Sequence, residues 1–432
     1  MNKLKYILYC FIVFPLFGNA LTLEETIKEN LYHNPQIKVS IENYKASYYE
    51  LQRVKSGDKP TVNISGEVGR ERTKIDYSFE GNRQLNEQQM AIVGRYNLFE
   101  GYKNRYRIIE KESALEVAKN QLLQKMNKIS LSIIQVYLQV LWKKALIAIE
   151  EENYQNHLET LRKVKIRLEA GDGYESDYRQ TKARVKLAEV NRLLAQRVYL
   201  NTKINYRRFI NRVPDISAMS KPLISFTPNE TEIESFITKA YQKNFTLQAQ
   251  KAQLNISKAL YTQEKSSDYP TLDLEVSQTW SSNVHGFEGG DNSQKVAVVL
   301  NYNIYNGGTD KASQLSALKR SAIEEESLED MKLLVEEEIR VSLMKYEMIE
   351  KQIALTDEQL NHLSGTKELY ELEYQNSKRT IIDLLNIKQE YSHAQTQKIN
   401  AIFDRLLTYY QFRSVIGELL SEFKLDIPLE IK

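Results

Sequence analysis

Side chains able to do chemistry are few in this chain. Cys10 is its one cysteine, and the five histidines (His33, His157, His285, His362 and His393) show no metal-ligand spacing. No glycine-rich phosphate loop, nucleophile elbow or carboxylate pair sits at a convincing strand-to-helix turn. Neither an enzyme nor a cofactor or metal site is expected. What remains is ionic. Charged groups gather at two polar breaks: Gly171-Asp172-Gly173 with Asp177 beyond it, and Asn376-Ser377-Lys378 with Arg379 and Asp383 beyond. Exposed Asp–Arg pairs are worth only ~0.2–1 kcal/mol each, so such groups suit contacts made and broken cheaply. A plainer role is capping: Thr380 with Asp383 three residues on has the capping-box spacing, and Asp177 stands where a helix restarts.

The elements that carry these breaks occur twice. Asn34, Pro60-Thr61, Ala91, Val93, Tyr96-Asn97, Phe99 and Gly101 are answered by Asn244, Pro270-Thr271, Ala297, Val299, Tyr302-Asn303, Tyr305 and Gly307. Early pairs differ by 210 positions (270−60) and later ones by 206 (307−101), so a four-residue indel falls between Thr61 and Ala91. A repeat of this size sets the architecture. The boundaries read as a leader at 1–20, a first copy at 21–212, a linker at 213–228, a second copy at 229–420 and a tail at 421–432. Pro214, Pro222 and Pro228 keep the linker out of helix and central strand.

Each copy runs helix, strand, hairpin loop, strand, then two long helices. Strands are expected near 61–72, 88–99, 271–280 and 294–305, where residues alternate with period two. Val62, Ile64 and Val68 share one face against Asn63, Ser65 and Glu67; Val296, Val298, Leu300, Tyr302 and Ile304 oppose Asn301 and Asn303. Hairpin loops are expected over 73–87, with Gly81, and over 281–293, with Gly286, Gly289 and Gly290. Past Gly101 and Gly307, the strand–helix junctions, the period becomes helical. Val335, Ile339, Ser342, Tyr346, Ile349, Ile353, Thr356, Leu360 and Leu363 form a heptad seam. Ile129, Ile133, Val136 and Val140 continue it in the first copy, beside a second stripe of Leu131, Ile134, Leu138, Leu141, Ala145 and Ala148. From Gly101 to Gly171 is roughly 70 residues, so at ~1.5 Å per residue this helix reaches on the order of 100 Å. Each copy thus ends in an antiparallel helical hairpin with a polar tip, near 171–177 and 374–383.

Composition fits an envelope protein. Lys3 and Lys5, the apolar Tyr6–Phe17 and Gly18-Asn19-Ala20 make a secretory signal, and Cys10 leaves with it. The formal charge of +2 then falls to 0, and mixed signs leave no nucleic-acid footprint. Mean hydropathy is −0.50, and no further long apolar run announces a transmembrane helix. Barrel strands, which alternate, would not raise hydropathy. Four bilayer-length strands cannot lie alone in lipid, because every backbone polar group there needs a partner. Closure requires oligomerisation, with eight strands from two chains or twelve from three. A ring of long helices below such a barrel would form a tube. The competing class is a secreted, non-channel coiled-coil protein, structural or adhesive, which leaves the four alternating segments without a purpose.

The Leu21-Thr-Leu-Glu-Glu opening with Asn34-Pro35, the doubled strand-hairpin and helical-hairpin unit, and Arg379-Thr-Ile-Ile-Asp-Leu-Leu together resemble the TolC family of outer-membrane efflux channels. The resemblance implies a mostly α fold with a β-barrel portion, assembled as a homotrimer with a twelve-strand barrel in outer-membrane lipid and a twelve-helix tunnel in the periplasm. It implies a passive exit duct of a tripartite efflux pump or type I secretion system. Its partners would be a periplasmic adaptor (membrane fusion) protein and an inner-membrane transporter of RND or ABC type. It also implies a gate at the periplasmic aperture: Asp177 matches the acid of the first tip, Tyr374 and Arg379 their counterparts in the second, and Asp383 the acid that rings the aperture. Another acid of the family pattern is Asn386 here, which should weaken selection for cations. Tyr96, Phe99, Trp280, Tyr302 and Tyr305 are candidates for interfacial belts.

Overall fold

The computed structural model describes residues 22–74 and 82–427. The expected leader and the part of the first hairpin loop that holds Gly81 lie outside the described residues. Two compact units divide the chain: one takes residues 127–233 and 338–426 with the stretch up to Asn34, the other residues 35–126 and 234–337. Each unit draws on both copies of the repeat. The fold is mostly helical with one small sheet, the class expected.

In the second unit, α2 (Pro35–Lys55) leads into β1 (Thr61–Lys74) and β2 (Asn82–Glu100), and α6 (Phe245–Glu264) into β3 (Thr271–Ser282) and β4 (Gly290–Asn301). Asn34 and Asn244 stand just before equivalent helices. Asn244 caps α6 by accepting from the backbone N–H of Thr246 (2.9 Å) and Leu247 (3.1 Å), while Pro35 starts α2 at the position where a missing N–H costs nothing. Ile37 and Leu247, 210 apart, are both wholly buried.

The strands form one antiparallel sheet in the order β1-β2-β3-β4. Its register joins the two hairpins: Arg95 faces Glu275 and Asn97 faces Asp273, with side-chain bonds of 3.2 and 2.9 Å. Pairing puts even-numbered residues on one face and odd-numbered ones on the other, with a bulge between Asn97 and Phe99. Val62, Ile64, Met90, Val276, Trp280 and Val298 all lie on the even face and all are exposed. The sheet has an exposed apolar face and a polar face, and the β3–β4 turn lies against Glu71 and Thr73 on the polar side.

Three strand ends depart from expectation, and one is the start of β4, at Gly290 rather than near 294. β2 begins at Asn82 rather than near 88, so the first hairpin is the longer, and β1 and β2 together hold the extra residues relative to β3 and β4. β4 stops at Asn301, paired with Thr271. The alternation through Tyr302 and Ile304 goes no further because β3 cannot be extended backwards through Pro270, which has no N–H to donate. Ile304 and Tyr305 are more than four-fifths exposed.

β2 turns into α3 (Lys103–Glu169) at Gly101, whose φ is +63°. A Cβ there would lie 2.7 Å from the Ser266 carbonyl oxygen, so both the conformation and the close approach require glycine. Gly307 (φ +72°) needs it for conformation alone, since a Cβ would meet nothing within 4 Å. α7 (Thr309–Gln375) follows. Each of these helices has 67 residues, and both their ends are offset by 206.

The first unit holds α1 (Leu23–Leu31), capped by Thr22 and Glu25, with α4 (Glu175–Ile210), α8 (Ile381–Val415), the short α9 (Leu419–Glu422) and most of α3 and α7; α5 (Ile233–Lys243) follows the linker. The seams pack as their period demands. Ile129, Ile133, Val136 and Val140 are buried, as are Val335, Ile339, Tyr346, Ile349 and Thr356. α3 contains one 18-residue window with hydropathy 1.3, contrary to the expectation of no further apolar run. A third of that window is buried, Ile133, Ile134, Tyr137, Leu138 and Val140 among it, and this part is core stripe. The linker is pinned by hydroxyls: Tyr137 donates to the Ser220 carbonyl and Tyr346 to that of Phe226, each at 3.0 Å.

Candidate functional site: the hairpin tips

Both helical hairpins turn through the same device. After α3, the N–H of Gly171 bonds the Leu168 carbonyl and that of Asp172 bonds Arg167; after α7, Ser377 bonds Tyr374 and Lys378 bonds Glu373. These are Schellman turns, 206 residues apart, with Gly171 (φ +78°) and Ser377 (φ +56°) in the left-handed position. The offset holds beyond the turn. Asp177 and Asp383 are equivalent residues, each in the first turn of its following helix (383−177 = 206), where a carboxylate favours the helix dipole.

Beneath the turns lies a core of Val164, Tyr374, Ile381, Leu384, Leu385 and Ile387. Above it Asp177, Tyr374 and Arg379 line one cleft of about 580 Å³, together with Arg167, Asp172 and Thr380. Asp383 stands apart from that lining. Its backbone N–H donates to Thr380 Oγ1 (3.2 Å), and the hydroxyl donates to the Asp383 carboxylate (2.8 Å). Capping is therefore real for Asp383. Thr380→Ala should cost ~1 kcal/mol of local stability, visible as faster amide exchange in the first turn of α8.

Arg379 does not reach the first hairpin. Its Nε bonds Glu373 at 2.9 Å and its guanidinium lies 4.1 Å from the Tyr370 ring centre; the Glu373 bond holds its pKa above the ordinary arginine value. The residue that does cross is Arg167, which sequence reasoning missed. It bonds Asp172 in its own turn (3.0 Å), and in the other turn it donates to the Tyr374 carbonyl (3.1 Å) and to Ser377 Oγ. Its guanidinium also sits 5.0 Å from the Tyr374 ring centre. Tyr374 itself is buried, so its ring acts as core as well as cleft wall. Higher on the hairpins, Arg184 reaches Asn386 Oδ1 at 3.5 Å, and buried Lys388 bonds Glu371 (2.9 Å) and Thr160 (3.2 Å). The site thus holds opposed charges within each of two similar turns, and a charged donor bonded to neutral acceptors between them. Such contacts can fasten and release.

Known proteins share this plan. The outer membrane efflux protein family matches the chain over residues 26–212 and 236–418. The outer membrane efflux protein BepC of Brucella suis biovar 1 is 21% identical over 423 residues, covering 94% of this chain and 89% of its own. Among solved structures, the outer membrane protein VceC of Vibrio cholerae aligns with TM-score 0.79 at 15% identity, covering 91% of this chain and 96% of that one. The CmeC outer membrane channel of Campylobacter jejuni aligns with TM-score 0.80 at 13% identity, covering 95% and 90%. Both matched segments are the two copies of the repeat, and together they span most of the chain: it belongs to the outer membrane efflux protein family, with its place in the outer membrane and its helical part in the periplasm.

Proposed function

We propose that three copies of this chain close a twelve-strand barrel and a twelve-helix periplasmic tunnel, forming the exit duct of a tripartite efflux pump or type I secretion system. The observation that carries this reading is the open sheet. Its even face is apolar and exposed, while β1 and β4 are edges whose backbone groups find no partner in lipid unless another copy supplies one. A second observation supports it on the helices. Leu334, Val341, Met348 and Leu355 on α7 fall on a seven-residue step that resumes at Leu369 beyond His362, and these five apolar residues are exposed in the single chain, the pattern of a seam awaiting a partner helix.

Asp177, Tyr374, Arg379 and Asp383 serve this duct as parts of a gate, with Arg167 holding the two tips of each chain together. A periplasmic adaptor and an inner-membrane RND or ABC transporter would supply the free energy that releases them. Detergent-solubilised protein should run as a heat-modifiable trimer, and in planar bilayers it should give single channels. Leu355→Glu should break the trimer. A monomeric protein that inserts no channels would overturn the reading.

A further inference from the structure

The sheet sorts its charges by face. Every Asp and Glu in its described strands lies on the odd face: Glu67, Glu71, Glu87, Asp273, Glu275 and Asp291, with Glu100 brought to that side by the bulge. On the even face the described charged side chains are Arg70 and Arg72, both exposed. They follow directly on Val62, Ile64 and Val68 along β1, at the end of the strand remote from the helix that leads into it. Across the register they face Asn86 and Gln84, also exposed. At ~3.4 Å per residue, Arg70 stands about 7 Å beyond Val68 along the strand.

We infer that Arg70 and Arg72 form a binding site for the phosphorylated glucosamine headgroup of lipid A on the outer leaflet. The inference rests on the barrel reading, in which the apolar even face meets lipid. With the helices in the periplasm, the β1–β2 hairpin end lies at the cell surface, where that leaflet presents anionic headgroups. A guanidinium fork matches phosphate oxygens, and the neighbouring amides can donate to sugar hydroxyls. Segregation of the acids to the other face keeps repulsive charge off the lipid side. If the pair served only solubility, nothing would keep carboxylates off this face.

The test uses the full-length trimer, purified in mild detergent and incubated with bisphosphorylated lipid A, with retained lipid counted by native mass spectrometry. Arg70→Gln with Arg72→Gln should reduce retention at least five-fold. Arg95→Gln, on the odd face, should leave it unchanged. Should the double variant fail to trimerise, the wild-type trimer is compared on bisphosphorylated and dephosphorylated lipid A, and preference for the former by a similar factor is expected. Equal retention by an intact double-variant trimer, or equal binding of both lipids by the wild type, overturns the inference and leaves the barrel standing. Absence of any membrane-inserted trimer would instead remove the barrel reading, and the inference with it.

Discussion

Arg167→Ala should open the periplasmic end of the duct, raising single-channel conductance several-fold at neutral pH, and by more than Arg379→Ala. The difference follows from where the bonds go. Arg379 is satisfied by Glu373 and Tyr370 within its own hairpin, so its loss loosens one tip without parting two. Arg167 bridges: its removal takes away the bonds to the Tyr374 carbonyl and Ser377 along with the contact on the Tyr374 ring. The Asp172 pair adds little, because Asp172 is mostly exposed. Bonds from a charged donor to the other turn are worth more, and a net ~1–3 kcal/mol per chain is reasonable for a side chain that is itself partly exposed. In the proposed trimer three chains act on one aperture, so their sum is enough to shift a two-state element. Arg167→Lys keeps the charge and loses the planar fork, so it should restore only part of the closed behaviour. If an intact Arg167→Ala trimer conducts like the wild type, Arg167 is not the fastening.

Arg167 was hidden in the sequence for a physical reason. Alone it is a basic residue in the last turn of a helix, a common and unremarked preference. The offset of 206 was the available signal. Applied at the tips, it aligns Arg167 with Glu373 and Gly171 with Ser377, exposing two turns of one design with reversed charges. Arg167 pairs with Asp172 and Glu373 pairs with Arg379. Asp177 and Asp383, singled out separately, prove to be one position written twice. The class of fold was legible because period two and period 3.5 are properties of single segments. The pairing of β2 with β3 was not, since their contacts join residues about 180 positions apart; Arg95 opposite Glu275 makes sense only once the register is known. The end of β4 was misread because alternation continues where the partner strand has already met a proline.

The seam of α3 was also followed only as far as its apolar residues went. Beyond Ile149 it turns polar without leaving the core: Asn153, His157 and Thr160 are buried, ahead of Val164 in the tip core. His157 is 1% exposed, and its Nδ1 has no hydrogen-bond partner among the described residues. Burial pushes its pKa down to about 4, with the charges of Lys388 on α8 and Arg184 on α4 adding to the effect. Lys388 is itself ion-paired with Glu371 on α7.

A pH dependence follows. The unfolded histidine titrates near ~6.5, so between that value and about 4 the open or unfolded chain binds a proton that the packed hairpin refuses. Stability contributed by neutral His157 is complete above pH ~6.5 and is lost as pH falls, by ~3 kcal/mol per chain once pH reaches the folded pKa. His157→Gln removes the titration. Amide exchange in residues 150–164 and 384–394 measures it: between pH 7 and pH 4.5, the opening free energy of wild type should fall ~2–3 kcal/mol further than that of His157→Gln, after correction for intrinsic rates. Parallel pH curves for the two proteins would show that His157 does not control this packing. Because Lys388 and Thr160 join the two hairpins at this height, the same acid range should loosen the tips in the wild type, and conductance should rise more steeply below pH ~5 with His157 than without it, the remainder coming from the carboxylates of the tips.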